Sequence, residues 1–328
     1  MYQRERSDKT PPPTSSRQGT KPYAYQLIDV FAERPFSGAP LAVFTDSRGL
    51  DNLTMLALSR ELNRPRTVFI SHEDTSRSPQ VRIFSPHGEL PSAQYPTIAA
   101  AFALALDQGS KRSSPPQSRM VFESASGPVS VSSFARVMTV RQAAPGLGAV
   151  YEDVDAVLGT LGLQEAQRMQ GVPIQAASSG VPYLMVPLRN RSALQSIRFR
   201  EDIWYRTLRH FAAPKILAFT IETDRSGSSA KMRVFAPDVG IMEDPATETA
   251  CGPLAGYLAR YGLMSAESPQ MLLFEQGAEI GRPSFLHVAV ERDSDSITDV
   301  RVGGQCVLVG EGYIVAPTTD LSPPNPSP

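Results

Sequence analysis

One short pattern occurs twice in this chain, and it constrains the fold more than any other feature. Val81-Arg-Ile-Phe-Ser-Pro is echoed by Met232-Arg-Val-Phe-Ala-Pro, with six positions matching in order as apolar, Arg, β-branched, Phe, small and Pro. Each copy leads through a polar loop into a helical run with proline near its first turn. The runs are Tyr95-Pro-Thr-Ile-Ala-Ala-Ala-Phe-Ala-Leu-Ala and Cys251-Gly-Pro-Leu-Ala-Gly-Tyr-Leu-Ala. Proline suits that place because the N–H it lacks has no intrahelical acceptor there. The first run is apolar nearly all round and the second is rich in small residues, so both belong inside a protein rather than on its surface. Strand, loop and buried helix, met twice, predict two similar halves. Chance similarity of two strand–turn–helix units within one domain is the alternative.

Between these landmarks the chain reads mostly as short strands. Tyr25–Phe31, Leu41–Phe44, Thr67–Ile70 and Gln80–Phe84 have strand character in the first half, followed by Met120–Ser124, Val129–Ser132 and Arg136–Arg141. Asp51 reads as the N-cap of a helix carrying Leu53, Leu56, Leu58 and Leu62. After a candidate boundary at Ala143-Ala-Pro-Gly-Leu-Gly, Glu152–Leu163 looks helical, and Pro182–Val186, Ile216–Ile221, Met232–Phe235 and Gly312–Val315 look like strands. Many short strands and few helices predict an α+β fold with two pseudo-symmetric barrel-like domains, each wrapped around a central helix. The expected division is a disordered tail over 1–22, a first domain over 23–143 and a second over 144–300. Terminal strands over 301–316 are expected to return to the first domain, ahead of a second disordered tail over 317–328.

Composition excludes several classes of function. The 328 residues carry 32 Lys and Arg against 33 Asp and Glu, a net charge of -1, with no block of one sign to gather nucleic acid or an anionic membrane. Cys251 and Cys306 are the two cysteines and have no metal-ligand spacing, which points to a reducing compartment. His72, His87, His210 and His287 have no such spacing either. Residues Met1 to Lys21 contain no apolar signal region, and the most apolar stretch, Ile98–Leu106, is too short to cross a bilayer. A soluble, cytoplasmic protein without metal or membrane partner is expected.

Several stretches resemble the PhzF-like (phenazine-biosynthesis) isomerase family, within the diaminopimelate-epimerase-like fold. They include Ile28-Asp-Val-Phe-Ala-Glu-Arg-Pro-Phe-Ser-Gly-Ala-Pro-Leu-Ala-Val-Phe, Ser59-Arg-Glu-Leu-Asn, Arg82-Ile-Phe-Ser-Pro, Glu243-Asp-Pro-Ala-Thr and Gln276-Gly-Ala-Glu-Ile-Gly-Arg-Pro-Ser. The resemblance implies two domains around central helices, a homodimer, and an active site in the crevice between domains. It also implies isomerisation of small carboxylated metabolites by proton transfer, without cofactor. A glutamate acts there as acid and base, helped by a histidine before the first central helix and an aspartate before the second.

Carried over position by position, most of that machinery is replaced. The family's Leu-Ser-Glu-Thr is here Arg64-Pro65-Arg66-Thr67, and its Ala-Gly-His-Pro is Ala93-Gln94-Tyr95-Pro96. Its Gly-Asn-Pro turn is Gly38-Ala39-Pro40. Asp244 survives in Glu243-Asp-Pro-Ala-Thr-Glu248-Thr-Ala, where Glu248 replaces a glycine. Arg66 stays charged and is no general base; it either stabilises developing negative charge or forms a salt bridge to Asp244 or Glu248. Tyr95 is a proton donor or an aromatic pocket wall. Glu248 caps a helix or repels an anion, and either role favours a largely neutral substrate. The catalytic candidates are therefore Asp244 first, Glu248 second, then Arg66 and Tyr95, with Ala39, Gln94, Thr249, Cys251 and His87 as substrate-binding candidates. The expected function is a cofactor-independent isomerase, dehydratase or cyclase of specialised metabolism. A catalytically inactive binding or scaffold protein is the rival.

Overall fold

A computed structural model describes residues 20–72, 78–91, 94–107, 118–293 and 296–317. The first half runs β1 (Thr20–Val30), β2 (Ala39–Phe44), α1 (Asn52–Leu62), β3 (Arg66–Ser71), β4 (Gln80–Ser85), β5 (Gly88–Leu90), α2 (Gln94–Asp107), β6 (Ser118–Phe122), β7 (Val129–Phe134) and β8 (Val137–Gln142). The second half opens with β9 (Gly146–Val150), α3 (Val154–Leu161), β10 (Gln175–Ser178), β11 (Pro182–Pro187), α4 (Arg191–Gln195), α5 (Glu201–Thr207) and β12 (Lys215–Thr220). It closes with β13 (Ala230–Ala236), β14 (Ile241–Asp244), α6 (Cys251–Arg260), β15 (Gln270–Gln276), β16 (Ser284–Asp293), β17 (Ser296–Gly304) and β18 (Cys306–Pro317). This is the α+β architecture expected from the repeat.

The repeat extends well beyond its six residues. In the first half β2 is parallel to β3, β3 antiparallel to β4, and β4 antiparallel to β5. In the second half β11, β12, β13 and β14 pair in the same senses. Gln80 bridges in parallel to Glu123 just past β6, as β13 pairs in parallel with β15. The two copies of the pattern, on β4 and β13, therefore occupy equivalent places. Leu90 lies opposite Ile83 as Asp244 lies opposite Val234, which makes Pro91 the counterpart of Pro245.

The halves join where β8 pairs antiparallel with β17, and each then sends a strand across: β9 pairs with β10, and β18 with β1. A six-stranded sheet, β18-β1-β2-β3-β4-β5, and a twelve-stranded sheet result. Helix α2 packs among strands β1 to β4, β7 and β8, and α6 among β9, β10, β11, β16 and β17. Ala99, Ala100, Ala101 and Ala103 are buried along α2, and their short side chains let the surrounding strands approach closely. Fully burying Ile98 or Leu254 on these helices contributes about 2 kcal/mol each. Pro96 and Pro253 are the third residue of their helices, within the first turn as expected.

Asp51 caps α1 as expected, its carboxylate accepting the Thr54 N–H at 2.7 Å. Two expectations need correction. Strand β1 starts at Thr20, ahead of residue 23, because Thr20 pairs with Pro317 of β18. The expected break at 300–301 falls inside β17, whose pairing with β8 continues to Gly304. Helices α4 and α5 had no sequence expectation. Residues 1–19 and 318–328 of the expected tails, and Ala93, lie outside the described residues. Among the described residues no helix is long and apolar enough to cross a membrane.

Candidate active site

The starts of α2 and α6 are brought together by the pseudo-symmetry. Glu248 lies in the 3-10 turn Glu248–Ala250 that leads into α6, and it is only 5% exposed. The backbone N–H of Tyr95, in the first turn of α2, and the N–H of Glu248 itself act on its carboxylate and favour the charged form. The first N–H groups of a helix lack intrahelical acceptors, so a carboxylate is well placed there. Glu248 therefore lies where the two helix starts meet, one from each half.

Asp244, at the end of β14, sits close enough for its charge to act on Glu248. Its carboxylate accepts Thr247 Oγ1 at 2.8 Å and the Ala246 N–H at 3.4 Å. Gln276 fixes this loop: its amide donates to Asp244 O at 2.6 Å and to Thr247 Oγ1 at 3.0 Å, and its Oε1 accepts the Thr247 N–H at 2.9 Å.

Burial raises both carboxyl pKa values. For Glu248, burial and then the Asp244 charge push it from the ordinary glutamate value to about 7, against the opposing pull of the N–H groups and Arg66. Asp244 is raised by burial and held back by Thr247, the Ala246 N–H and Arg66. The phenol of Tyr95 is pushed up by burial, so it stays protonated and is a hydrogen-bond donor. Its ring rests 5.9 Å from that of Phe31. Arg66 donates to Pro65 O at 2.7 Å and acts on Asp244, Glu248 and Tyr95 through space. Among the described residues it makes no ion pair to either carboxylate, which removes the salt-bridge reading.

Gln142 joins the two helix starts. This buried residue, the last of β8, donates to Glu248 O at 2.8 Å and to Gln94 Oε1 at 3.5 Å, and accepts the Gly252 N–H at 3.3 Å. A Cβ at position 252 would lie 2.7 Å from both Gln142 Oε1 and Ser179 Oγ, so a side chain there would displace these two polar groups. Thr249 Oγ1 lies 2.6 Å from the Tyr183 hydroxyl. Gln142, Ser179 and Tyr183 had no signal as site residues, and Gln276 entered only as the first residue of a stretch that resembles the family; each reaches the site through long-range pairing.

The other candidates fall elsewhere. Ala39 is 3% exposed and pairs with Val30, so its methyl belongs to the core. Cys251 is buried, its thiol turned to Thr247 O at 3.6 Å and its pKa pushed up by burial. His87 is exposed in the turn between β4 and β5, its N–H on Ser85 Oγ at 3.2 Å. Arg66, Gln94, Tyr95, Asp244, Glu248 and Thr249 form one neighbourhood.

Comparison with known proteins agrees with this architecture. A family model described as phenazine biosynthesis-like protein matches residues 28–312. A trans-2,3-dihydro-3-hydroxyanthranilate isomerase of Pseudomonas chlororaphis is 31% identical, covering 89% of this chain and 99% of that protein. An uncharacterized isomerase of Mesorhizobium japonicum is 30% identical over 88% of this chain and 98% of that protein. The solved structure of a PhzF family protein from Bacillus anthracis superposes with a TM-score of 0.80 at 22% identity, over 90% of this chain and 99% of that one. A hydroxyproline epimerase from Agrobacterium vitis shares the fold more distantly, with a TM-score of 0.56 at 12% identity, over 93% and 94% of the two chains. With its doubled strand–helix unit and a match spanning nearly its whole described length, the chain belongs to the phenazine biosynthesis-like (PhzF) family, whose named relatives are isomerases of small metabolites.

Proposed function

We propose that this protein isomerises a small, largely neutral metabolite by moving a proton within the group formed by Glu248, Asp244, Tyr95 and Arg66. The observation that carries this reading is the Glu248 carboxyl: buried between two helix starts, with a pKa near 7, it exchanges a proton readily in either direction. In its ionised form it would take a proton from carbon next to a carbonyl or double bond. The electron pair would move onto oxygen, where Arg66 and the Tyr95 hydroxyl stabilise the charge. Return of the proton to a second carbon completes an isomerisation in which no atom is gained or lost. Burial, and then the Asp244 charge, keep Glu248 protonatable at neutral pH.

The glutamate that the family resemblance assigns as acid and base falls at the position of Arg66, so Glu248 assumes that role from the opposite half. A fixed carboxylate on the α2 start also disfavours a substrate anion there. Cyclisation and dehydration fit the same donors and remain within this proposal, as does a homodimer, which light scattering tests. A second reading, binding without turnover, is favoured by the Tyr95 N–H and Arg66 already acting on the Glu248 carboxylate.

The test is to incubate wild type, Glu248→Gln and Asp244→Asn with metabolite extracts in deuterated water, following masses and retention times. A wild-type product of unchanged composition carrying a solvent deuteron, absent with Glu248→Gln, is the expected result. Equal conversion by wild type and Glu248→Gln would overturn the assignment of Glu248. Ligand retention without any conversion would favour the binding protein.

A further inference from the structure

The two halves differ sharply at one equivalent place. In the second half, the connection between β15 and β16 closes onto the turn at Pro245. Ser284 Oγ donates to Pro245 O at 2.7 Å, and a Cβ at Gly277 would lie 2.5 Å from that same oxygen. In the first half, the counterpart of Pro245 is Pro91, and the counterpart connection is the turn between β6 and β7. That turn is shorter and closes on itself: the Gly127 N–H donates to Ser124 O at 2.9 Å, and Ser124 Oγ to Gly127 O at 2.6 Å. A cavity of about 460 Å³ lies between the β6–β7 turn and Pro91. Its volume falls in the range of small-molecule sites, roughly 300–1,000 Å³.

The lining defines what fits. Pro91, Pro128, Val129 and Val140 supply an apolar wall. Arg141 also borders the cavity, and its largely exposed guanidinium is engaged by Asp299, a carboxylate that it shares with Arg301. Ser130 Oγ accepts Arg119 Nε at 2.6 Å. Gln94 lines the cavity too, and its Oε1 meets the Gln142 amide that holds Glu248 O.

We propose that this cavity is a ligand subsite for an uncharged, largely apolar part of the substrate, with the Gln94 amide linking it to the Glu248 group. Its assignment to substrate rests on the isomerase reading above, whereas binding of a neutral ligand does not.

The test uses 2-naphthol as a neutral probe and 2-naphthoate as its anionic counterpart, with methyl-labelled full-length protein. The expected result is that 2-naphthol shifts the Val129 and Val140 methyl resonances and binds at least about tenfold more tightly than 2-naphthoate, about 1.4 kcal/mol. Ser130→Trp, which fills the cavity, should weaken 2-naphthol at least about tenfold. Ser126→Trp, on the exposed turn, gives a second filling variant should Ser130→Trp not fold. Unperturbed Val129 and Val140 methyls, equal affinity for the anion, or full binding by a folded filled variant would each overturn the subsite. Should wild type turn over a metabolite that the filled variant converts equally well, the substrate role fails while the isomerase reading stands. Should 2-naphthol bind as expected while Glu248→Gln leaves turnover unchanged, the Glu248 assignment fails while the subsite stands.

Discussion

The carboxylate of Glu248, on the turn leading into α6, lies within the influence of the backbone N–H of Tyr95 in the first turn of α2. One half's side chain is thus brought to the start of the other half's central helix. Two opposed effects act on that carboxylate. The N–H groups and Arg66 favour its charge; burial and Asp244 disfavour it more strongly, and the balance falls near neutrality.

That balance makes a prediction for stability. The Glu248 pKa rises from an ordinary 4.5 to about 7 on folding, so between those values the folded protein holds more protons than the unfolded chain. Stability therefore falls as pH rises through this window, by about 3 kcal/mol for Glu248 alone. Asp244 is raised as well and adds a slope of the same sign. Glu248→Gln should match wild type near pH 4.5, exceed it above pH 7, and show a shallower, still falling profile. Urea unfolding at several pH values measures this, and an unchanged slope would contradict the assignment.

Gln142 should be a positioning residue. Gln142→Leu keeps the bulk at a buried position but leaves Glu248 O and the Gly252 N–H without their side-chain partner. A loss of about 2 kcal/mol in urea unfolding is expected. Hydrogen exchange separates this from general loosening: the Gly252 amide should lose protection while the amides of β3 and β4 retain theirs. Uniform loss across both halves would assign Gln142 a merely structural part.

The doubled architecture was readable because its signal is local: a strand pattern and a proline-started helix recur in order, and strand pairing makes Val81 and Met232 equivalent. Tyr95, Asp244 and Glu248 were readable for the same reason, since each flanks the start of a central helix. Ala39 and His87 show where that reading stops. A motif places a backbone position but not a side-chain direction, and these two point into the core and into solvent. The roles of Gln142 and Gln276 stayed hidden, although Gln276 opens a stretch that resembles the family, because a glutamine amide has no characteristic spacing; they arise from the β8–β17 junction and the turn beyond β15. The boundary inside β17 was misplaced because the strand that crosses between halves begins only at Cys306.

The halves are also tied by Arg282, whose guanidinium meets Asp29 Oδ1 at 2.6 Å, Gly38 O at 2.8 Å and Ser37 O at 2.8 Å. Asp29 is 3% exposed and holds the Phe36 N–H at 2.7 Å with its other oxygen. Arg282→Met leaves a buried carboxylate without its cation and should cost about 3–5 kcal/mol in urea unfolding. Adding Asp29→Asn should restore part of that loss, because the desolvated charge is gone. A double variant no more stable than Arg282→Met would show that packing, not charge, holds the clasp.

Gly38 lies in the same clasp, and two separate costs fall on any side chain there. Its φ of +66° lies in the left-handed region, and a Cβ would sit 2.1 Å from Val30 O, a backbone atom that cannot swing away. Gly171 shares the first cost but not the second, having φ +84° and open space around it. Gly171→Ala should therefore lose about 1 kcal/mol, the left-handed penalty alone. Gly38→Ala should lose about 2–5 kcal/mol, because overpacking adds to that penalty. The difference between the two in urea unfolding isolates the contact with Val30. Since the same backbone segment accepts Arg282, Gly38→Ala and Arg282→Met should be less than additive when combined. Full additivity would mean that the β1–β2 connection and the Arg282 clasp are independent.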